Sequence, residues 1–70
     1  MVSTMNTADL KRATQQAHRA TASAQASEKS KDWQIAAGFY RNAAALWRIA
    51  EDEEQAERCD YKADEMEGKK

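Results

Sequence analysis

The stretch Trp33-Gln34-Ile35-Ala36-Ala37-Gly38-Phe39-Tyr40-Arg41-Asn42-Ala43-Ala44-Ala45-Leu46-Trp47-Arg48-Ile49-Ala50 decides how this chain folds. With helical geometry of about 100° per residue, Trp33, Tyr40 and Trp47 fall on one stripe, and Ile35, Phe39, Leu46 and Ile49 on a nearly opposite one. Ala36, Ala43 and Ala50 fill the arc between them. The apolar sector is then about 240° wide, far beyond the one-sided stripe of an ordinary surface helix. Two apolar stripes call for two partners, so this helix is expected to lie between others, from its own chain or from a second copy.

Seventy residues make one small domain. A core of that size supplies about 3 to 5 kcal/mol unless something reinforces it, and dimerisation is the simplest reinforcement. The chain has no proline and two glycines and is rich in Ala, Glu, Lys, Arg and Gln. That composition favours helix, offers almost no turn chemistry and contains no strand run, so the expected fold is all-α. The single cysteine, Cys59, cannot close an intramolecular disulfide and reads as a small buried hydrophobe, with a reactive thiol as the alternative. The sequence shows neither a signal-peptide pattern nor an apolar run of membrane length, which predicts a cytoplasmic protein with no membrane partner.

The net charge of −1 hides a gradient. Residues 1–31 carry Lys11, Arg12, Arg19, Lys29 and Lys31 against Asp9 and Glu28, whereas residues 51–70 carry nine acids against Arg58, Lys62, Lys69 and Lys70. One reading packs two antiparallel helices of opposite sign in one bundle. The other presents the acidic end to a basic partner, such as the nucleic-acid-binding surface of another protein. Direct nucleic-acid binding is the weakest use of this balance, because the basic residues are few and unclustered.

Outside the central stretch, residues 1–5 carry no pattern and are expected to fray. Asn6 as a cap, Asp9 in the first turn and the Met5–Leu10 spacing of a hydrophobic staple start helix one near Thr7. Leu10, Ala13, Ala17, Ala20, Ala24 and Ser27 then recur at the spacing of a coiled-coil seam built almost wholly from small residues. Such a seam leaves room for large side chains opposite, and the tryptophans and tyrosine of the central helix are the natural knobs. Ser27 to Asp32 reads as the turn, with Ser30 or Asp32 capping helix two. Asp52 followed by Gln55 reads as a capping box for a third helix carrying Ala56, Cys59, Ala63 and Met66 and ending at Gly68. The expected helices are therefore 7–29, 33–50 and 53–67. The rival is one continuous helix from Trp33 to Glu67, about 50 Å long, which practically demands an intertwined dimer. We expect a homodimer, because one Ala-lined helix cannot cover the apolar sector of helix two; the alternative is a three-helix monomer in which helix three folds back on it.

Lys31-Asp32-Trp33-Gln34-Ile35-Ala36-Ala37-Gly38-Phe39-Tyr40-Arg41-Asn42-Ala43 resembles the turn and second helix of tetratricopeptide and microtubule-interacting-and-trafficking hairpins. There an aromatic follows the turn, an Ala comes three residues later, then an aromatic pair and another Ala. The match covers about one fifth of the chain. Helix one lacks the Trp, Leu, Gly and Tyr of a tetratricopeptide repeat, so the resemblance implies a packing mode and no binding residue. Trp33, Trp47 and Cys59 also resemble the Trp-rich core and C-terminal cysteine of small enterobacterial and phage regulators that antagonise AraC-type activators. Overall length, alanine content and the opening Met5-Asn6-Thr7-Ala8-Asp9-Leu10 are similar to small accessory proteins of the lambdoid phage early region. This resemblance implies a non-enzymatic phage or bacterial accessory regulator that contacts a host or viral regulatory protein, in the host cytoplasm if phage-encoded.

The residues themselves offer no catalytic, cofactor or metal reading. His18 is the sole histidine and has no ligand at metal spacing in its own turn, so it reads as a solvated boundary residue. There is no Gly-rich phosphate loop and no nucleophile, base and orienter set at local spacing. Acid pairs such as Glu53 and Glu57 read as a solvated face. The candidate interface residues are Trp33, Ile35, Phe39, Tyr40, Leu46, Trp47 and Ile49, with Arg41 and Arg48 on the rim. For Trp33, Tyr40 and Trp47 the competing reading is simple core packing. Two functions follow: a helical protein–protein interaction module, or a small DNA-binding transcriptional regulator using helices one and two. The second would place Lys11, Arg12 and Arg19 on phosphates but spend its recognition helix on Trp, Phe, Tyr, Ile and Leu.

Overall fold

A computed structural model describes residues 7–69 and shows three helices in sequence: α1 (Thr7–Lys29), α2 (Trp33–Ile49) and α3 (Glu53–Glu67). The expected Asn6 cap, the Met5–Leu10 staple and the frayed residues 1–5 lie outside the described residues. The fold is an all-α bundle in which α1 and α3 both pack on the central α2.

Both corners are built the same way. Lys31 and Glu51 adopt left-handed backbone, with φ of 64° and 63°. At the first corner the Asp32 N–H donates to the Ser27 carbonyl at 2.9 Å and the Lys31 N–H to that of Glu28 at 3.0 Å. At the second, the Asp52 N–H donates to Trp47 at 2.8 Å and the Glu51 N–H to Arg48 at 3.0 Å. These are Schellman closures, which satisfy the last carbonyls of one helix and turn the chain into the next. In each, the residue after the left-handed position is an Asp at the N-cap of the following helix. Asp52 Oδ1 accepts from the Gln55 N–H at 3.2 Å, one half of a capping box, while Asp52's own N–H goes to Trp47; Asp32 makes no side-chain cap bond. The left-handed Glu51 rules out the continuous helix from Trp33 to Glu67. Helix two ends at Ile49 with Ala50 as its C-cap, one residue before the expected boundary. The chain leaves α3 at Gly68 as expected, but its φ of −77° makes no use of glycine's left-handed freedom.

Ten of the fourteen buried apolar residues are alanines, so the helices approach closely and the few large side chains do the filling. The α1 seam of Ala13, Ala17, Ala20 and Ala24 is buried, as is the α3 seam of Ala56, Cys59, Ala63 and Met66. Between them, Tyr40 and Trp47 of α2 are buried and Trp33 is half-buried. Their polar atoms are satisfied: Trp47 Nε1 donates to Thr21 Oγ1 at 3.3 Å, and the Tyr40 hydroxyl donates to Glu28 Oε1 at 2.7 Å. The Thr21 hydroxyl donates in turn to the Ala17 carbonyl at 2.8 Å. His18 stays exposed and sets its ring edge-on to Trp47, 4.8 Å between centroids. The Cα trace measures 43 × 19 × 13 Å, an elongated slab with two broad faces.

Candidate interaction surface on the central helix

The two broad faces differ in chemistry. On the first, Trp33, Tyr40 and Trp47 sink into the crease between α1 and α3. Glu28 bridges that crease, taking the Tyr40 hydroxyl on one oxygen and Lys62 Nζ on the other at 3.0 Å. Lys62 also lies 5.8 Å from the centre of the Tyr40 ring, and Lys69 lies 5.2 Å from that of Trp33. The Tyr40 bond and then the Lys62 bond hold the Glu28 carboxyl below its ordinary range. Burial first, and then the bond to Glu28, push the Tyr40 phenol up. Tyr40 and Trp47 of the candidate interface therefore pack in the core, while Trp33 stays half-buried at its edge.

The opposite face is open. Ile35 is 55% exposed, Ile49 49% and Phe39 37%, while Leu46 is half-buried. Gly38, Asn42 and Ala45 lie among them on the same side of α2 and are also exposed. The seven residues form a ridge without a charge, in a chain one third of whose residues are charged. A Cβ added to Gly38 meets nothing within 4 Å, so nothing inside the chain calls for glycine there. Helical spacing alone placed Ile35, Phe39, Leu46 and Ile49 together. It passed over Gly38, Asn42 and Ala45, although their spacing of 4 and 3 residues puts them on that ridge.

Two charged rails flank the ridge. Gln16, Arg19 and Ser23 of α1 border Phe39, Asn42 and Leu46, and Arg12 precedes Arg19 by two turns on the same side. On α3, Glu53, Glu57, Asp60, Asp64 and Glu67 recur at spacings of 4, 3, 4 and 3. Four of these acids are tied to the rim arginines of α2. Arg41 grips Glu67 with a two-pronged bond, Nη2 to Oε1 at 2.6 Å and Nε to Oε2 at 3.2 Å, and reaches Asp64 at 3.1 Å. Arg48 donates to Asp60 at 2.6 Å and to Glu53 at 3.2 Å. The Arg41 bond holds the Glu67 carboxyl below its ordinary range. Opposite charges therefore meet between α2 and α3. The expected pairing of a basic α1 with an acidic α3 is corrected: among the described residues, the α1–α3 ion pair shown is Glu28 with Lys62, acid on α1 and base on α3. Five acids against Arg41 and Arg48 leave the α3 rail negative, whereas Arg12 and Arg19 against Asp9 on the same stripe leave the α1 rail weakly positive.

Cys59 is buried, 3.9 Å from Thr21 Oγ1, and burial raises its pKa, which makes it a packing residue. Among the described residues, no cluster of His, Cys, Asp and Glu could hold a metal ion, and no helix is long and apolar enough to cross a membrane. No family model matches this chain, and neither a curated protein nor a solved structure does.

Proposed function

We propose that the protein is a non-enzymatic helical protein–protein interaction module that works through the outer face of α2. The observation that carries this reading is the neutral ridge of exposed Ile35, Phe39 and Ile49 with half-buried Leu46, set between two charged rails. Single exposed apolar residues are ordinary on protein surfaces, but a contiguous apolar strip with a polar rim is the anatomy of a contact site. The rim arginines are preorganised by α3, so a partner meets a fixed surface.

The resemblance to small phage and enterobacterial regulators directs the reading further. Through the assembly that this face builds, the module acts on a host or viral regulatory protein, and the setting is the cytoplasm. The same ridge disfavours use of α2 as a DNA-recognition helix, since it would offer Ile, Phe and Leu where base edges require hydrogen-bonding groups. Charge reversal at exposed positions tests the proposal without disturbing the core. Ile35→Glu with Ile49→Glu should keep the helical spectrum of the wild type and lose the host proteins that a tagged wild-type chain retains. Identical retention by both would sink the interaction reading. A low-salt electrophoretic shift that weakens steeply with salt would favour the DNA-binding alternative.

A further inference from the structure

We infer that the occupant of this face is a second copy of the chain, related by a twofold axis parallel to α2. The inference rests on the interaction reading and names the partner of the same surface. A twofold contact requires a patch that complements itself, and this one does so in charge. With the axis along α2, the positive α1 rail of each copy lies across from the negative α3 rail of the other. With Thr21 level with Cys59, Arg19 then faces Glu57 and Asp60, and Arg12 faces Glu53 at the start of α3, acids which α2's arginines only partly neutralise. The other twofold arrangement, with the two α2 helices antiparallel, sets α3 against α3 and its acids against one another. Like charges facing across an interface disfavour that arrangement.

The ridge fits the same axis. Ile35, Phe39, Asn42, Leu46 and Ile49 follow one another at spacings of 4, 3, 4 and 3, the seam of two parallel coiled helices. Parallel pairing sets Ile35 on Ile35, Asn42 on Asn42 and Ile49 on Ile49. Between these levels Phe39 of one copy lies beside Gly38 of the other, and Leu46 beside Ala45, a large side chain against a small one each time. That is a use for Gly38, a mid-helix glycine with open space above it. A single Asn at the centre of an otherwise apolar seam fixes register, because its amide finds a partner only opposite its own copy.

Cysteine cross-linking reads both the association and its direction. Ile35→Cys places a thiol at an exposed position, while the native Cys59 is buried, so the wild type treated with the same oxidant is the control. The expected result is a disulfide-linked species at twice the 7.9 kDa of one chain from Ile35→Cys alone, and again from Ile49→Cys alone. Sedimentation equilibrium of the untreated wild type at high micromolar concentration should give the same doubled mass. A cross-link obtained only from a mixture of the two variants would overturn the parallel arrangement. A mass of one chain together with no cross-link would overturn the dimer. If the chain is monomeric and Ile35→Glu with Ile49→Glu still abolishes retention of host proteins, the face binds a different occupant, and the interaction reading survives the loss of this one.

Discussion

At the scale of single residues, the two large aromatics in the core carry stability out of proportion to their number, because alanines supply most of the remaining buried positions. Trp47→Ala removes a buried ring and leaves Thr21 Oγ1 without its indole donor, and should cost about 3 to 5 kcal/mol. That is comparable to the whole stability of a domain this small, so circular dichroism should show the variant largely unfolded at room temperature. An unchanged melting curve would contradict the burial of Trp47. Glu28 offers a subtler test, since its carboxylate joins Tyr40 of α2 to Lys62 of α3. Its folded pKa is lowered, so its contribution is present above the ordinary carboxylate range and is lost as pH falls through the folded value. Glu28→Gln should therefore cost about 1 kcal/mol at neutral pH. The gap in melting temperature between wild type and variant should close on acidification below the ordinary Glu range. A gap that stays constant down to strongly acid pH would assign the cost to packing and not to the charge.

At the scale of the helices, periodicity and capping made most of the fold readable in advance. The alanine seams of α1 and α3, the turn before Trp33 and the Asp52–Gln55 cap are all local signals, and each acts where the sequence places it. The break between α2 and α3 was harder to read because no Gly or Pro marks it. Glu51 takes the left-handed position that glycine usually fills, and tertiary packing supports the strain. The same strain at Lys31 yields a test: Lys31→Gly should raise stability by about 0.5 to 1 kcal/mol in thermal melts, because glycine adopts positive φ without a Cβ clash. No gain would mean that the corner is relaxed as it stands. The interface reading was only half visible in sequence. Periodicity placed two apolar stripes on α2 but could not say which one α1 and α3 would cover. Gly38, Asn42 and Ala45 are individually poor interface residues, so only their position on an uncovered helix face brings them forward. In an isolated monomer Gly38→Ala should stabilise α2 by about 1 kcal/mol, since the added methyl meets nothing. A second copy seated on Gly38 reverses that benefit. The variant should melt higher than wild type at low concentration and lose this advantage as concentration rises, and parallel curves at all concentrations would show that nothing packs there.

At the scale of the whole molecule, the slab separates its charges across its width, positive along α1 and negative along α3, with a neutral ridge between. Salt acts on the rails and leaves the burial of the ridge nearly untouched. Exposed charge pairs are worth about 0.2 to 1 kcal/mol each, and their attraction is screened once the Debye length falls below their separation, about 10 Å at 0.1 M salt. Self-association of the wild type should therefore weaken several-fold between low and high salt without being abolished. Arg12→Glu with Arg19→Glu turns the α1 rail negative, so that each copy would meet acids with acids. This variant should associate more weakly than wild type at low salt, and its association should strengthen as salt is added. Opposite signs of the two slopes, measured by sedimentation at matched concentrations, would locate the α1 rail across from the α3 rail of the second copy. Slopes of the same sign would place Arg12 and Arg19 away from the contact and confine it to the ridge.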